Sequence, residues 1–119
     1  MNAVESYREH AVTTQTRGRL IVLLYDGAIK FLRLALQELD AGHQAEKGVY
    51  IGKAQAILME LNTSLDMAAG GEIATNLRSL YHFMDRHLSE ANLHRDSEKI
   101  RQVLAYLEDL NESWKAITA

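Results

Sequence analysis

The stretch LIVLLYDGAIKFLRLALQEL, from Leu20 to Leu39, is predicted to form a helix that is apolar around most of its circumference, and the rest of the chain must pack around it. Placed at 100° per residue, its apolar side chains recur at the i, i+3, i+4, i+7 spacing of a buried face. The core stripe contains Leu20, Leu24, Ala28, Phe31 and Ala35. The polar strip is narrow and contains Asp26, Lys30, Arg33 and Gln37, with Val22 inside it. An apolar arc of about 100° suffices for packing on one side. This helix therefore either has several neighbours or keeps part of its surface for another chain.

Length and composition predict one globular domain. A chain of 119 residues can bury roughly two thirds of the surface that its unfolded form exposes. Its hydrophobic fraction of 47% and charged fraction of 24% are typical of globular proteins. Proline is absent, so only glycine and capping residues are available to end a helix. Cysteine is also absent, which excludes disulfides, thiolate metal sites and a cysteine nucleophile, and agrees with a reducing cytosol.

Charge and hydropathy exclude several classes of partner. The net charge is −3 and no basic stripe is visible, which argues against nucleic acid. The longest apolar run, Leu20 to Tyr25, is far shorter than a membrane span of about 20 residues, so no membrane insertion is expected. The opening sequence MNAVESYREH lacks the basic start and apolar core of a secretory signal. We therefore expect a cytoplasmic protein.

Periodicity predicts four helices, at residues 17–41, 45–67, 72–92 and from 97 onwards. Thr16 is the expected N-cap of the first helix, and Gly42 is placed to end it. Gly70-Gly71 is the expected break before the third helix, and Asp96 or Ser97 the cap of the fourth. Short connections place consecutive helices antiparallel. The predicted fold is an all-α, antiparallel up-down four-helix bundle in a single domain, 1–119, with a short, mobile N-terminal arm at 1–15 and the bundle at 16–118.

The remaining helices also have apolar stripes that we assign to the core. The second contributes Tyr50, Ala54, Ile57, Leu58, Leu61 and Leu65. The third contributes Ile73, Leu77, Leu80, Tyr81, Met84, Leu88 and Ala91. The fourth contributes Ile100, Val103, Leu104, Leu107, Leu110, Trp114 and Ile117.

No pattern in the sequence indicates catalysis, a cofactor or a metal. None of the five histidines has a glutamate three residues earlier, as a di-iron bundle requires, and Asp40-x-x-His43 falls in a loop. No glycine-rich phosphate loop and no Ser-His-Asp arrangement is visible. A histidine phosphotransfer module is the alternative, with His82 or His87 as the phosphorylated residue, and a phosphorylation assay would test it. A bundle that only dimerises through the first helix is a third reading.

Read in order, the local motifs resemble the FliS family of flagellin export chaperones over nearly the whole chain. The clearest are LIVLLYDGAIKFLRLA (20–35), KAQAILMELNTSLD (53–66), GGEIATNLRSLYHFM (70–84), LSEANLHRD (88–96) and the end of the chain around Trp114. One departure is Thr16-Arg17, where the family commonly has a Ser-Pro-type cap. The resemblance implies a four-helix bundle that binds the disordered C-terminal segment of flagellin in the cytoplasm. It further implies that binding prevents premature polymerisation, and that flagellin is delivered to components of the flagellar type III export gate without nucleotide. We expect a monomer or weak homodimer when the protein is free.

The expected partner-binding surface combines surplus apolar residues of the first helix with a flank of the second, where apolar and amide side chains alternate. Tyr7 in the N-terminal arm is expected to cover this surface until the partner displaces it. The predicted binding residues are Tyr7, Ile21, Tyr25, Ile29, Leu32, Ile51, Gln55, Leu58, Met59 and Asn62. An amphipathic segment that arrives disordered would place its apolar face against the aliphatic residues and its edges against the amides.

Overall fold

Four helices form the bundle, and the described range contains no strand. The computed structural model describes the backbone of residues 3–118 and the side chains of residues 17–118. The helices are α1 (Ala3–Asp40), α2 (Gln44–Thr63), α3 (Met67–His94) and α4 (Ser97–Thr118). Each helix packs against the next, and α4 returns to pack against α1. The predicted all-α up-down bundle is confirmed.

The first helix begins at Ala3, so the predicted N-cap, Thr16, lies inside it. The physical reason is that no proline or glycine precedes Gly18, so nothing in this stretch stops a helix. The side chains of residues 1–16, which include Tyr7 of the predicted arm, lie outside the described residues. At its other end the helix stops as predicted, because Gly42 adopts the left-handed conformation with φ of 80°.

The turn between α2 and α3 falls earlier than predicted. The second helix ends at Thr63, because Asp66 caps a new helix by accepting a hydrogen bond from the backbone amide of Ala69 at 3.0 Å. Gly71 then interrupts α3 with φ of 54° and ψ of −129°. The predicted break at Gly70-Gly71 is therefore a kink inside α3 rather than the boundary between two helices.

The turn between α3 and α4 is capped on both sides. The third helix continues to His94, past the predicted exit at Asn92, and Arg95 ends it in the left-handed conformation with φ of 53°. The fourth helix is capped as predicted, because Asp96 Oδ1 accepts a hydrogen bond from the backbone amide of Glu98 at 3.1 Å.

The core lies along the axis of the bundle and receives one face from every helix. Its largest wholly buried side chains are Tyr25, Leu32, Ile51, Leu58, Leu61, Tyr81, Met84, Leu88, Ile100, Val103 and Leu107. The hydroxyl oxygens of Tyr25 and Tyr81 are 2.6 Å apart, which joins α1 to α3 across the diagonal. Burial raises the pKa of both tyrosines, and the hydrogen bond with Tyr25 raises the pKa of Tyr81 further.

Three residues that we assigned to the core stripes are exposed instead. The exposed fraction is 53% for Leu20, 73% for Ile73 and 74% for Ile117. Ile73 and Ile117 lie near the start of α3 and the end of α4. Leu20 lies to one side of the buried face of α1, which contains Tyr25 and Leu32. These three residues leave apolar surface uncovered at the end of the bundle where α3 begins and α4 ends.

Candidate functional site: an apolar open end of the bundle

One end of the bundle exposes several large aliphatic side chains. At this end α2 stops, α3 begins and α4 finishes beside α1, so closely that a Cβ added at Gly18 would lie 2.7 Å from Thr118 Cγ2. Four aliphatic residues here have exposed fractions of 53 to 74%: Leu20, Leu23, Ile73 and Ile117. We call the surface formed by these four residues the open end. Isolated exposed leucines are ordinary, but a cluster of them marks a surface that contacts another molecule.

Three cavities surround the open end, one at each of three helix pairs. The α1/α2 cavity, of about 750 Å³, is lined by Arg17, Leu20, Ile21, Leu24, Glu60, Ser64, Leu65, Asp66 and Met67. The α1/α4 cavity, of about 470 Å³, is lined by Arg19, Val22, Leu23, Lys115 and Thr118. The α3/α4 cavity, of about 230 Å³, is lined by Ile73, Leu77, Leu110, Ser113, Trp114 and Ile117. Together they offer several separate pockets to the apolar side chains of one ligand.

Trp114 links the open end to the core. Its ring is half-buried in the wall of the α3/α4 cavity, and its centroid lies 6.5 Å from that of buried Tyr25. As the only tryptophan of the chain, it is a natural fluorescent reporter of any molecule that binds here.

The predicted binding residues of α1 are mostly in the core. Tyr25 and Leu32 are wholly buried and Ile29 is 6% exposed, whereas Ile21 is half-buried and lines the α1/α2 cavity. The interpretation of these buried residues as surplus surface was wrong, because α2 and α4 pack against α1 from two sides and cover them.

The predicted flank of α2 is also engaged within the bundle. Ile51 and Leu58 are wholly buried, and half-buried Met59 packs against the core. The assignment of Ile51 to an outer flank was therefore wrong. Ile51 has the phase of Ala54, Leu58 and Leu61, and these side chains lie together in the core.

The two predicted amides bridge α2 and α3. Gln55 Nε2 donates to the backbone oxygen of Asp85 at 3.1 Å and to Ser89 Oγ at 2.8 Å. Asn62 Oδ1 accepts a hydrogen bond from Arg78 Nε at 3.3 Å. Both amides therefore already have hydrogen-bond partners inside the protein. Asn62 lies near the end of α2 that borders the open end, whereas Gln55 lies further along α2.

Sequence reasoning missed most residues of the open end because it assigned them to the core. Ile73 and Ile117 belong to the stripes that we assigned to the core, and a helical pattern does not report where the neighbouring helices stop. The sequence offers one usable signal: Ile73 lies only two residues after Gly71, the expected helix break.

The other classes of site have little structural support. His87 Nε2 lies 2.5 Å from Gln102 Oε1 and its ring stacks on Phe83 at 4.9 Å, so this histidine is already engaged, while His82 is exposed. Among residues 17–118, no three acidic or histidine side chains are placed to hold one metal ion. No helix within residues 3–118 combines the length and apolarity needed to cross a membrane.

Comparison with known proteins identifies the family. The whole chain, residues 1–119, matches the model of the flagellar protein FliS. The chain belongs to the FliS family. It is 40% identical over 111 residues to the FliS of Salmonella typhimurium, covering 92% of this chain and 82% of the relative. It is 33% identical over 114 residues to the FliS of Bacillus subtilis, covering 96% and 84%. It is 34% identical over 122 residues to FliSB of Pseudomonas aeruginosa, covering 99% and 97%.

These three relatives are flagellar secretion chaperones, and chaperoning is a non-enzymatic role. Membership of the FliS family therefore implies a client protein.

Proposed function

We propose that this protein binds the disordered C-terminal segment of flagellin in the cytoplasm. Binding prevents premature polymerisation, and the complex delivers flagellin to the flagellar type III export apparatus, with neither catalysis nor a cofactor. The observation that carries the proposal is the open end, where aliphatic side chains 53 to 74% exposed stand among three cavities in a chain of the FliS family.

The geometry suits a segment that folds as it binds. Apolar residues on one face of a client helix enter separate cavities, and these anchors supply the affinity. Ordering the segment opposes binding, so a large apolar area is needed, on the order of 1,000–3,000 Å² for coupled folding and binding. Calorimetry should accordingly show a clearly negative heat-capacity change.

The predicted binding residues take different parts in this proposal. Ile21, in the wall of the α1/α2 cavity, and Met59, half-buried on α2, are proposed contacts. Tyr7 stays a predicted contact from the N-terminal arm. Five of the predicted residues are buried in the core, and we propose no direct client contact for them: Tyr25, Ile29, Leu32, Ile51 and Leu58. Gln55 and Asn62 hold α3 against α2 through the hydrogen bonds described above.

Ile117→Asp is the sharp test, with Leu93→Asp as its matched control. Ile117 is 74% exposed at the open end and Leu93 is 77% exposed near the end of α3, at the opposite end of the bundle. Neither substitution buries a charge, so both variants should melt as the wild type does. A carboxylate facing an apolar client should weaken binding of the flagellin C-terminal segment about tenfold or more, as the loss of a hot spot does. Leu93→Asp should bind like the wild type.

Isothermal titration calorimetry of the segment into the wild type and both variants measures the three affinities. Trp114 fluorescence, followed in parallel, reports binding independently. If the wild type neither binds the segment nor changes its fluorescence, the proposed function fails. If Leu93→Asp weakens binding as much as Ile117→Asp, the client binds elsewhere and the assignment of the open end fails.

A further inference from the structure

A polar cleft lies between α1 and α4, next to the α1/α4 cavity. Its volume is about 270 Å³, and Lys115 stands in the walls of both this cleft and that cavity. Three carboxylates and two cations line it, so it carries a net negative charge, unlike its apolar neighbour.

Asn111 is the unusual residue of the cleft. It is only 4% exposed and occupies an inward position of α4, between Leu107 and Trp114. Its Nδ2 donates to Asp26 Oδ1 at 2.7 Å. Because an ionised carboxylate only accepts, this contact fixes the orientation of the amide and leaves Oδ1 as the free atom. That oxygen is buried and has no partner among the described residues.

Most other charges of the cleft are already paired. Arg33 Nη2 lies 3.0 Å from Glu108 Oε1, and Lys115 Nζ lies 3.4 Å from Asp26 Oδ1. Within residues 17–118 the exposed carboxylate of Glu112 has no ion-pair partner. Two acceptors at the cleft, the Glu112 carboxylate and Asn111 Oδ1, have no partner within residues 17–118, and a cationic ligand that donates to both would satisfy them.

We propose that the cleft receives a lysine or arginine side chain of the bound client segment, which donates to Asn111 Oδ1 and is attracted by Glu112. The proposal rests on the proposed function. Lys115 lines both the α1/α4 cavity and the cleft, so a client segment with one residue in the cavity has its next residues beside the cleft. A buried acceptor without a partner increases the affinity for a ligand that can donate a hydrogen bond to it, relative to a ligand that cannot. The cleft would thus select segments that pair apolar anchors with a correctly spaced basic residue.

A double-mutant cycle tests whether the cleft residues and one basic residue of the client contribute to binding through the same contact. The protein variants are Glu112→Gln and Asn111→Leu, which removes the acceptor at similar volume together with the hydrogen bond to Asp26. Glu98→Gln, in the first turn at the opposite end of α4, is the control. The probe is the flagellin C-terminal segment of the same bacterium, with each lysine and arginine replaced by glutamine in turn.

Asn111→Leu should lower the affinity for the unmodified segment about tenfold or more, as expected for the loss of a hydrogen bond to a charged group. Glu112→Gln should weaken it about two- to fivefold at low salt, as for an exposed ion pair, and less in about 1 M salt. For one replaced segment both effects should disappear, while Glu98→Gln changes nothing.

Additive effects for every replaced segment would overturn the inference while leaving flagellin binding intact. If sodium, potassium or magnesium ions alone raise the thermal midpoint of the wild type and Glu112→Gln abolishes that increase, the cleft binds a free cation and the inference is overturned. Failure of the wild type to bind the unmodified segment would remove the proposed function and this inference with it. If Asn111→Leu fails to fold, Glu112→Gln still decides, since its side chain is exposed.

Discussion

At the scale of single residues, two tyrosine hydroxyls meet in the core. Replacing Tyr25 with phenylalanine leaves the Tyr81 hydroxyl buried without its partner 2.6 Å away. We expect this substitution to lower the free energy of unfolding by about 1–3 kcal/mol. Removing both hydroxyls should destabilise the protein by less than the sum of the single changes. Urea denaturation of the two single variants and the double variant measures this. Strictly additive losses would contradict the pairing.

The same tyrosines predict loss of stability at alkaline pH. Burial raises the pKa of Tyr25 and Tyr81 in the folded state, so above about pH 10 the unfolded chain releases protons that the folded chain retains. The free energy of unfolding should therefore fall as pH rises above that value, by at most about 1.4 kcal/mol per pH unit for each tyrosine. The Tyr25→Phe/Tyr81→Phe double variant should lose less stability per pH unit. Tyr106→Phe, at an exposed position, is the control and should change nothing.

Neighbouring positions on α2 should respond very differently to truncation. Ile51 is wholly buried, whereas Val49 is 56% exposed. We expect Ile51→Ala to lower the free energy of unfolding by about 2–5 kcal/mol. Val49→Ala should change it by no more than about 0.5 kcal/mol. Similar urea midpoints for the two variants would mean that the register of α2 is wrong.

At the scale of elements, two glycines in helices should respond oppositely to alanine. Gly71, with φ of 54° and ψ of −129°, forms the kink of α3, a conformation that a side chain strains by about 1–3 kcal/mol. Gly52 is exposed inside α2, and a Cβ there would meet nothing within 4 Å. Gly52→Ala should raise the free energy of unfolding by about 0.4–1 kcal/mol, and Gly71→Ala should lower it. Stabilisation by Gly71→Ala would show that the kink is not required.

At the scale of the whole molecule, the bundle should unfold as one unit. Leu107 and Tyr81 belong to one core cluster that all four helices share, so no helix has a separate core. Far-UV circular dichroism, which reports every helix, and Trp114 fluorescence, which reports the α3/α4 cavity, should give the same thermal midpoint. Leu107→Ala should lower the free energy of unfolding by about 2–5 kcal/mol. Two separate transitions would contradict the prediction of a single domain.

The candidate site was harder to predict than the fold because burial depends on neighbours. Ile73 and Leu77 share one phase on α3, yet Ile73 is 73% exposed and Leu77 is half-buried. Conversely, Tyr25 looked like surplus surface and is wholly buried. For Ile73 the helical phase was read correctly, but phase alone does not say whether another helix covers the residue. For Tyr25 the phase itself was misjudged, because the buried face of α1 contains Tyr25 and Leu32 rather than Leu20.

Local sequence patterns were enough to predict the number and order of the helices. These patterns are apolar periodicity, a helix-ending glycine at Gly42 and a capping carboxylate at Asp96. Tertiary structure alone decided which apolar residues remain uncovered and that Asn111 borders a cleft with a free acceptor. The physical reason is that helix formation is governed by contacts within about four residues. Exposure instead depends on where four separate helices end relative to one another, which local contacts do not encode.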